Sequence, residues 1–151
     1  MTTVSSATSP SNATIESLLA SNHRLTRYAA QATGSTVSSA VWSTLSVLVN
    51  DGPRRIGDLA RDARISQPGM TKVVQNLVTD EWVSRIADVD DSRAWLIVVT
   101  DKGRGALDAW RGQLADATGP IFADLSDTEW KVLEHAAKIL SERVNRSEAV
   151  A

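Results

Sequence analysis

Between Ile65 and Asp80, six residues stand outside the apolar period of their segment: Gln67, Gly69, Thr71, Lys72, Gln75 and Asn76. They are small or polar, and one is a cation. Glutamine and asparagine amides can pair with the edge of adenine, and a lysine can reach guanine or a phosphate. A helix starting at Ser66 would also aim backbone N–H groups at an anion lying off its end. Over residues 64–79 the only charges are Arg64 and Lys72, both basic. The chemistry on offer is recognition of a nucleic acid by hydrogen bonds, with local positive charge. An ordinary solvated helix face carries similar residues, and Asn76 fits a solvated or capping position better than a contact.

A second group follows at Asp91-Ser92-Arg93, an acid two residues before an arginine at the start of a strand. An arginine at a loop tip can enter a narrow minor groove, where the negative potential is enhanced. The Asp91 carboxylate is placed to pair with the guanidinium and fix its direction. On its own the tripeptide is equally a solvated loop ion pair, which is worth little.

These groups need elements to hold them. Val73, Val74 and Leu77, with Met70, give a helix from Ser66, and Pro68 is tolerated in its first turn. Ile56, Leu59, Ala60 and Ala63 put a short helix before it, separated by a tight turn at Arg64-Ile65. Two short helices so arranged let the second project into the major groove of duplex DNA. The period then changes. Residues 82–87 and 94–99 read as two strands joined by a polar turn, a β-hairpin.

Longer helices flank this unit. One is expected from an N-cap at Asn12 or Thr14 to about Thr33, another over residues 36–50, ended by Asn50-Asp51-Gly52-Pro53. Thr100 caps a helix over residues 101–117, which Gly119-Pro120 should break, with residues 121–125 continuing loosely. Ser126 and Glu129 form a capping box for a last helix reaching about Arg143. The fold class is mainly α with a small β-hairpin, a winged helix-turn-helix domain with N- and C-terminal helices around it. The expected divisions are a disordered tail over residues 1–12, a first helix over 13–35, the winged domain over 36–100 and C-terminal helices over 101–147.

Composition narrows the function classes. Hydrophobic residues make up 42% of 151, enough for a core. No apolar run is long enough for a membrane span, and the Ser/Thr-rich start has no signal-peptide order, so a cytoplasmic location is expected. Cysteine is absent, which excludes disulfides and thiol redox sensing. His23 and His135 fall on different helices, so no metal site or cofactor is expected. The net charge of −2 means that any DNA-binding surface must be local on an acidic body. An enzyme is disfavoured: there is no nucleophile triad and no phosphate loop, and Asp90 and Asp91 sit on a turn where their carboxylates need not converge.

At this point the chain resembles the MarR family of bacterial transcription regulators. The resemblance runs from about Thr14 to Val144. Leu59-Ala60, residues 66–77, Trp82-Val83-Ser84-Arg85, Asp91-Ser92-Arg93 and Val98-Val99-Thr100-Asp101-Lys102-Gly103-Arg104 carry it. An acid-x-Arg wing followed by a strand ending in Thr-x-x-Gly is its more specific part. The family often has glycine where this chain has Arg64 and Glu81. A left-handed backbone there would carry modest strain, which Arg64 could offset by touching phosphate.

The resemblance implies a homodimer, paired through the first and last helices, that binds a palindromic operator and more often represses than activates. The DNA-binding residues would be Arg64, Ser66, Gln67, Gly69, Thr71, Lys72 and Gln75 in the major groove, with Asp91 and Arg93 at the minor groove. Apolar helix faces too extensive for a small winged domain to cover support a two-fold pairing. The resemblance also implies release of DNA by a small aromatic ligand. His23, Arg27, Tyr28 and Trp42 could line its pocket, although Trp42 equally suits the core. The alternative function is a winged-helix protein-interaction module without specific DNA binding.

Overall fold

The computed structural model describes residues 9–91 and 93–148, without the side chains of residues 147 and 148. Residues 1–8, read as the start of a disordered tail, and Ser92 lie outside the described residues. The chain divides into two compact units, Met1–Ala117 and Thr118–Ala151.

In the first unit α1 (Pro10–Thr33) and α2 (Ser39–Asp51) precede a two-residue strand, β1 (Arg54–Arg55). Then come α3 (Ile56–Asp62), α4 (Gln67–Thr79), β2 (Val83–Ala87), β3 (Trp95–Val99) and α5 (Asp101–Thr118). Two expectations need correction here. The first helix begins at Pro10 rather than after Asn12 or Thr14. Proline supplies a preset φ at the start of a helix, where its missing N–H has no partner to lose. Thr14 sits inside this helix, its hydroxyl donating to the Pro10 carbonyl at 2.9 Å. The sheet also has three strands, not two. β3 is central, pairing antiparallel with β2 from Val83↔Val99 to Ala87↔Trp95, and with β1 at Arg54↔Ile97 and Arg55↔Leu96.

The core explains the order of elements. Leu45 and Leu48 of α2, Leu59 and Ala60 of α3, and Met70, Val74 and Leu77 of α4 meet Val83, Ile97 and Val99 of the sheet, with Leu107 of α5. The apolar stripes of the two short helices are thus consumed by packing, which turns their polar stripes outward. Thr44 is fully buried among them and satisfies its hydroxyl on the Ala40 carbonyl at 2.7 Å.

Both short helices end the same way. After α3 the Ile65 N–H reaches back to the Ala60 carbonyl at 3.0 Å, and after α4 the Trp82 N–H reaches the Leu77 carbonyl at 2.9 Å. This termination needs one left-handed residue, usually glycine. Here it falls on Arg64 (φ 53°) and Glu81 (φ 61°). An L-residue pays about 1–2 kcal/mol for that conformation, partly offset by its smaller backbone entropy in the unfolded chain. Arg64→Gly should therefore raise unfolding free energy by about 0.5–1 kcal/mol, or a melting temperature by about 2–4 °C. Calorimetry on the two proteins checks it; an equal or lower melting point would deny the strain.

In the second unit Gly119–Phe122 forms a 3-10 turn rather than a loose helix, with Pro120 in its first positions. α6 (Asp127–Glu148) follows and runs past Arg143. Its capping box forms, with the Ser126 N–H donating to Glu129 Oε2 at 2.8 Å and the Glu129 N–H to Ser126 Oγ at 3.4 Å. Phe122 lies against Trp130 with ring centroids 6.1 Å apart. No helix among the described residues is long and apolar enough to cross a membrane.

Candidate DNA interface

α4 carries the expected recognition face. Gln67, Lys72 and Gln75 are exposed, Thr71 and Gly69 half-buried. Ser66 is the N-cap, its Oγ accepting the Gly69 N–H at 3.2 Å. A Cβ on residue 69 would stand 3.1 Å from that Oγ, so the glycine keeps the cap close. Ser66 and Gly69 thus already have a role in starting the helix. The Thr71 hydroxyl donates to the Gln67 carbonyl at 2.9 Å, which spends its hydrogen and leaves only its oxygen to accept. Gln67, Lys72, Gln75 and Asn76 keep side-chain donors on this face. Arg64 is exposed on the turn leading into it.

The wing differs from expectation in one respect. Asp91 Oδ1 accepts the backbone N–H of Arg93 at 3.0 Å. Among the described residues no ion pair joins its carboxylate to the Arg93 guanidinium. A carboxylate two residues ahead of an N–H closes a small ring with it, a turn that asparagine and aspartate favour. Asp91 therefore shapes the loop backbone, and the Arg93 side chain is exposed beside it.

Sequence reading missed the base of this wing. Asp88 is buried at 7% exposure. Its Oδ2 accepts Arg55 Nε at 2.7 Å and Nη2 at 2.5 Å, and its Oδ1 accepts the Asp90 N–H at 3.0 Å. The Asp88 N–H itself donates to the Ala94 carbonyl at 3.1 Å, closing the loop. The Asp90 N–H and then the Arg55 side chain hold the Asp88 carboxyl below the usual aspartate range, against the opposing effect of burial. The available signal was a pair of adjacent arginines after Pro53 facing a run of acids, too little to fix partners.

The sign of the resulting pH dependence is fixed. A carboxyl whose pKa is lower folded than unfolded stabilises the fold at pH well above the unfolded value, and that contribution is lost as pH falls through the folded one. Glu81, bonded to Lys102 Nζ at 2.8 Å, and Glu129, held by Ser126, shift the same way. Wild-type stability should be flat from about pH 5 to 7 and fall below about pH 4. The stability gap to Asp88→Asn should narrow over that same acid limb in denaturant titrations. A gap constant down to pH 2 would contradict the assignment.

The candidate ligand residues are not grouped on one open surface. His23, Arg27 and Tyr28 are exposed on α1. Trp42 is buried at 7% exposure, stacked between Trp82 (centroids 5.6 Å apart) and Trp110 (4.7 Å), and belongs to the core. The ring from α2 thus stacks on one ring from the β2 entry and one from α5. Its indole N–H, however, has no hydrogen-bond partner.

The strand-to-helix junction completes the frame. Thr100 caps α5, with Oγ1 accepting the Gly103 N–H at 3.1 Å while donating to the Glu81 carbonyl at 2.7 Å. Its own N–H bonds the Trp82 carbonyl at 3.0 Å. The Thr-x-x-Gly pattern thus ties the wing's last strand to the turn that follows α4.

Residues 35–94, the segment from α2 to the wing loop, match the family model described as MarR family. The chain belongs to the MarR family. An uncharacterized HTH-type transcriptional regulator of Mycobacterium bovis is 30% identical over 113 residues, covering 75% of this chain and 79% of that protein. A transcriptional regulator of Thermotoga maritima has the same fold, with a TM-score of 0.70 at 20% identity over 89% of this chain and 96% of that one. A Bordetella bronchiseptica regulator, whose DNA binding is described as regulated by 6-hydroxynicotinic acid, aligns with a TM-score of 0.55 at 20% identity over 83% and 91%. This MarR-family chain is a transcription regulator with a DNA-binding winged-helix fold, not an enzyme.

Proposed function

We propose that this regulator acts as a homodimer on a palindromic operator, as a repressor that a small aromatic ligand releases. One observation carries the DNA reading. The exposed polar face of α4 and the exposed Arg93 are fixed by one packed unit, and neither the Lys72 nor the Arg93 side chain has an ion-pair partner among the described residues. In this reading Gln67, Lys72 and Gln75 face the major groove, Arg64 and the α4 N-terminus a phosphate, and Arg93 the flanking minor groove. Ser66, Gly69, Thr71 and Asp91 act by shaping those contacts.

Support for the homodimer comes from apolar surface left open on each unit. On α1, Ile15, Leu18 and Leu19 are exposed, and on α6 so are Val132, Leu133, Ile139 and Leu140. Phe122, Leu125, Thr128, Glu129, Val132 and Leu133 line an apolar groove of about 340 Å³ in the second unit. A second copy of the chain covers such faces at lowest cost in specificity. For release, the Bordetella regulator supplies the ligand class, and the exposed His23, Arg27 and Tyr28 of α1 supply donors suited to an aromatic acid.

Lys72→Ala tests the site. Affinity for a bound genomic fragment should fall, and the slope of log affinity against log salt should shrink by about one per half-site if Lys72 meets phosphate. If it meets a base, the slope holds and discrimination between operator variants drops. Unchanged affinity and unchanged discrimination together would remove Lys72 from the interface. The acidic net charge favours the protein-interaction reading, and absence of any DNA binding at about 100 mM salt would support it.

A further inference from the structure

Among the described residues Asp88 is the one charged residue that is buried, and its partners are Arg55, Asp90 and Ala94 at the base of the wing, not residues of α4. Its partner Arg55 has three roles at once. It is the last residue of β1, it pairs across to Leu96 of β3, and it is the residue from which α3 starts. The two-residue β1 gives little backbone anchorage. The side-chain fork closes the gap, with Nε at 2.7 Å and Nη2 at 2.5 Å from one Asp88 oxygen. The other oxygen holds the Asp90 N–H at 3.0 Å, so the same carboxylate orders the first turn of the loop that ends in Arg93.

Only one side of the pair is buried, the Asp88 side chain at 6% exposure against 45% for Arg55, and an ion pair open to solvent on one side adds little to stability. What it supplies is a fixed direction between two segments. We propose that the Arg55–Asp88 pair is a positioning device that locks the wing to the start of the helix-turn-helix, so that Arg93 and the α4 face meet one DNA half-site together. This rests on the DNA reading above. Arg55 acts here through Asp88 and the wing, with no DNA contact of its own.

A double-mutant cycle tests it, using a fragment selected for binding by the full-length wild type. Alone, Arg93→Ala should weaken binding about 100-fold and Asp88→Asn, which keeps the volume, at least about tenfold. Combined with Asp88→Asn, the Arg93→Ala step should cost less than about tenfold, because the wing is already misplaced. Asp88→Asn should also lower the salt slope by about one per half-site, although it removes no cation. Arg55→Lys keeps the charge but loses the fork, and should reproduce both the affinity loss and the coupling if Asp88→Asn fails to fold. Additive losses, an unchanged salt slope, or wild-type binding by Arg55→Lys would each overturn the positioning role while leaving the DNA reading intact. Failure of the wild type to enrich any fragment would overturn the DNA reading and this inference with it.

Discussion

Alanine at position 103 is expected to lower the unfolding free energy by about 3 kcal/mol and the melting temperature by about 10 °C. A Cβ on this residue would stand 2.1 Å from the Trp82 carbonyl oxygen and 2.9 Å from its carbon. Both obstacles are backbone, so no side chain can swing aside. That carbonyl also accepts the Thr100 N–H, and Gly103 donates to the Thr100 hydroxyl. Separating α5 from the β2 entry would lose these bonds and disturb Leu107, which is fully buried one turn on. Against a total stability of about 5–15 kcal/mol, the loss is a large fraction. Gly105→Ala is the matched control, because a Cβ there meets nothing within 4 Å. In mid-helix it should gain about 0.5–1 kcal/mol. Calorimetry showing equal melting points for the two variants would refute the close-approach account of the Thr-x-x-Gly pattern.

Arg93→Ala should cost about 1–1.5 kcal/mol per half-site in DNA binding, close to 100-fold for a dimer on two half-sites. The guanidinium is exposed and has no internal ion pair among the described residues, so its loss should leave the fold unchanged. Its removal should lower the salt slope by about one per half-site. The loss should be greatest on operators with A/T-rich flanks, whose narrow minor groove concentrates negative potential. Fluorescence anisotropy at several salt concentrations measures all three. Asp91→Asn offers a contrast. An asparagine oxygen can still accept the Arg93 N–H, so this variant should bind within about threefold of wild type. A large loss there would mean that the carboxylate charge itself aims the guanidinium.

Much of this was legible in the residues. The 3.6-residue stripes of α3 and α4 and the change of period at residues 82–99 pointed to the winged unit, because long apolar periods leave few ways to pack. Arg64 and Glu81 were readable as strained positions, and the left-handed backbone is found at both. Two kinds of feature were not readable. β1 has only two residues, too short for any period to register, and exists because β3 offers an open edge beside Pro53. Side-chain partners across long separations were equally hidden. Asp88 meets Arg55 over 33 positions, while Asp91, two residues before Arg93, spends its oxygen on a backbone N–H. Trp42 could be read as pocket or core, and only the rings of Trp82 and Trp110 on its two faces decide for the core.

The central claim is that the α4 face and the Arg93 wing together read duplex DNA as halves of a two-fold site. Selection of genomic fragments retained by the full-length protein at about 100 mM salt tests it most directly. The expected result is enrichment of a palindrome whose half-sites lie about one helical turn apart, flanked by A/T-rich steps. Retention of no fragment, or of fragments sharing no symmetric sequence, would contradict it.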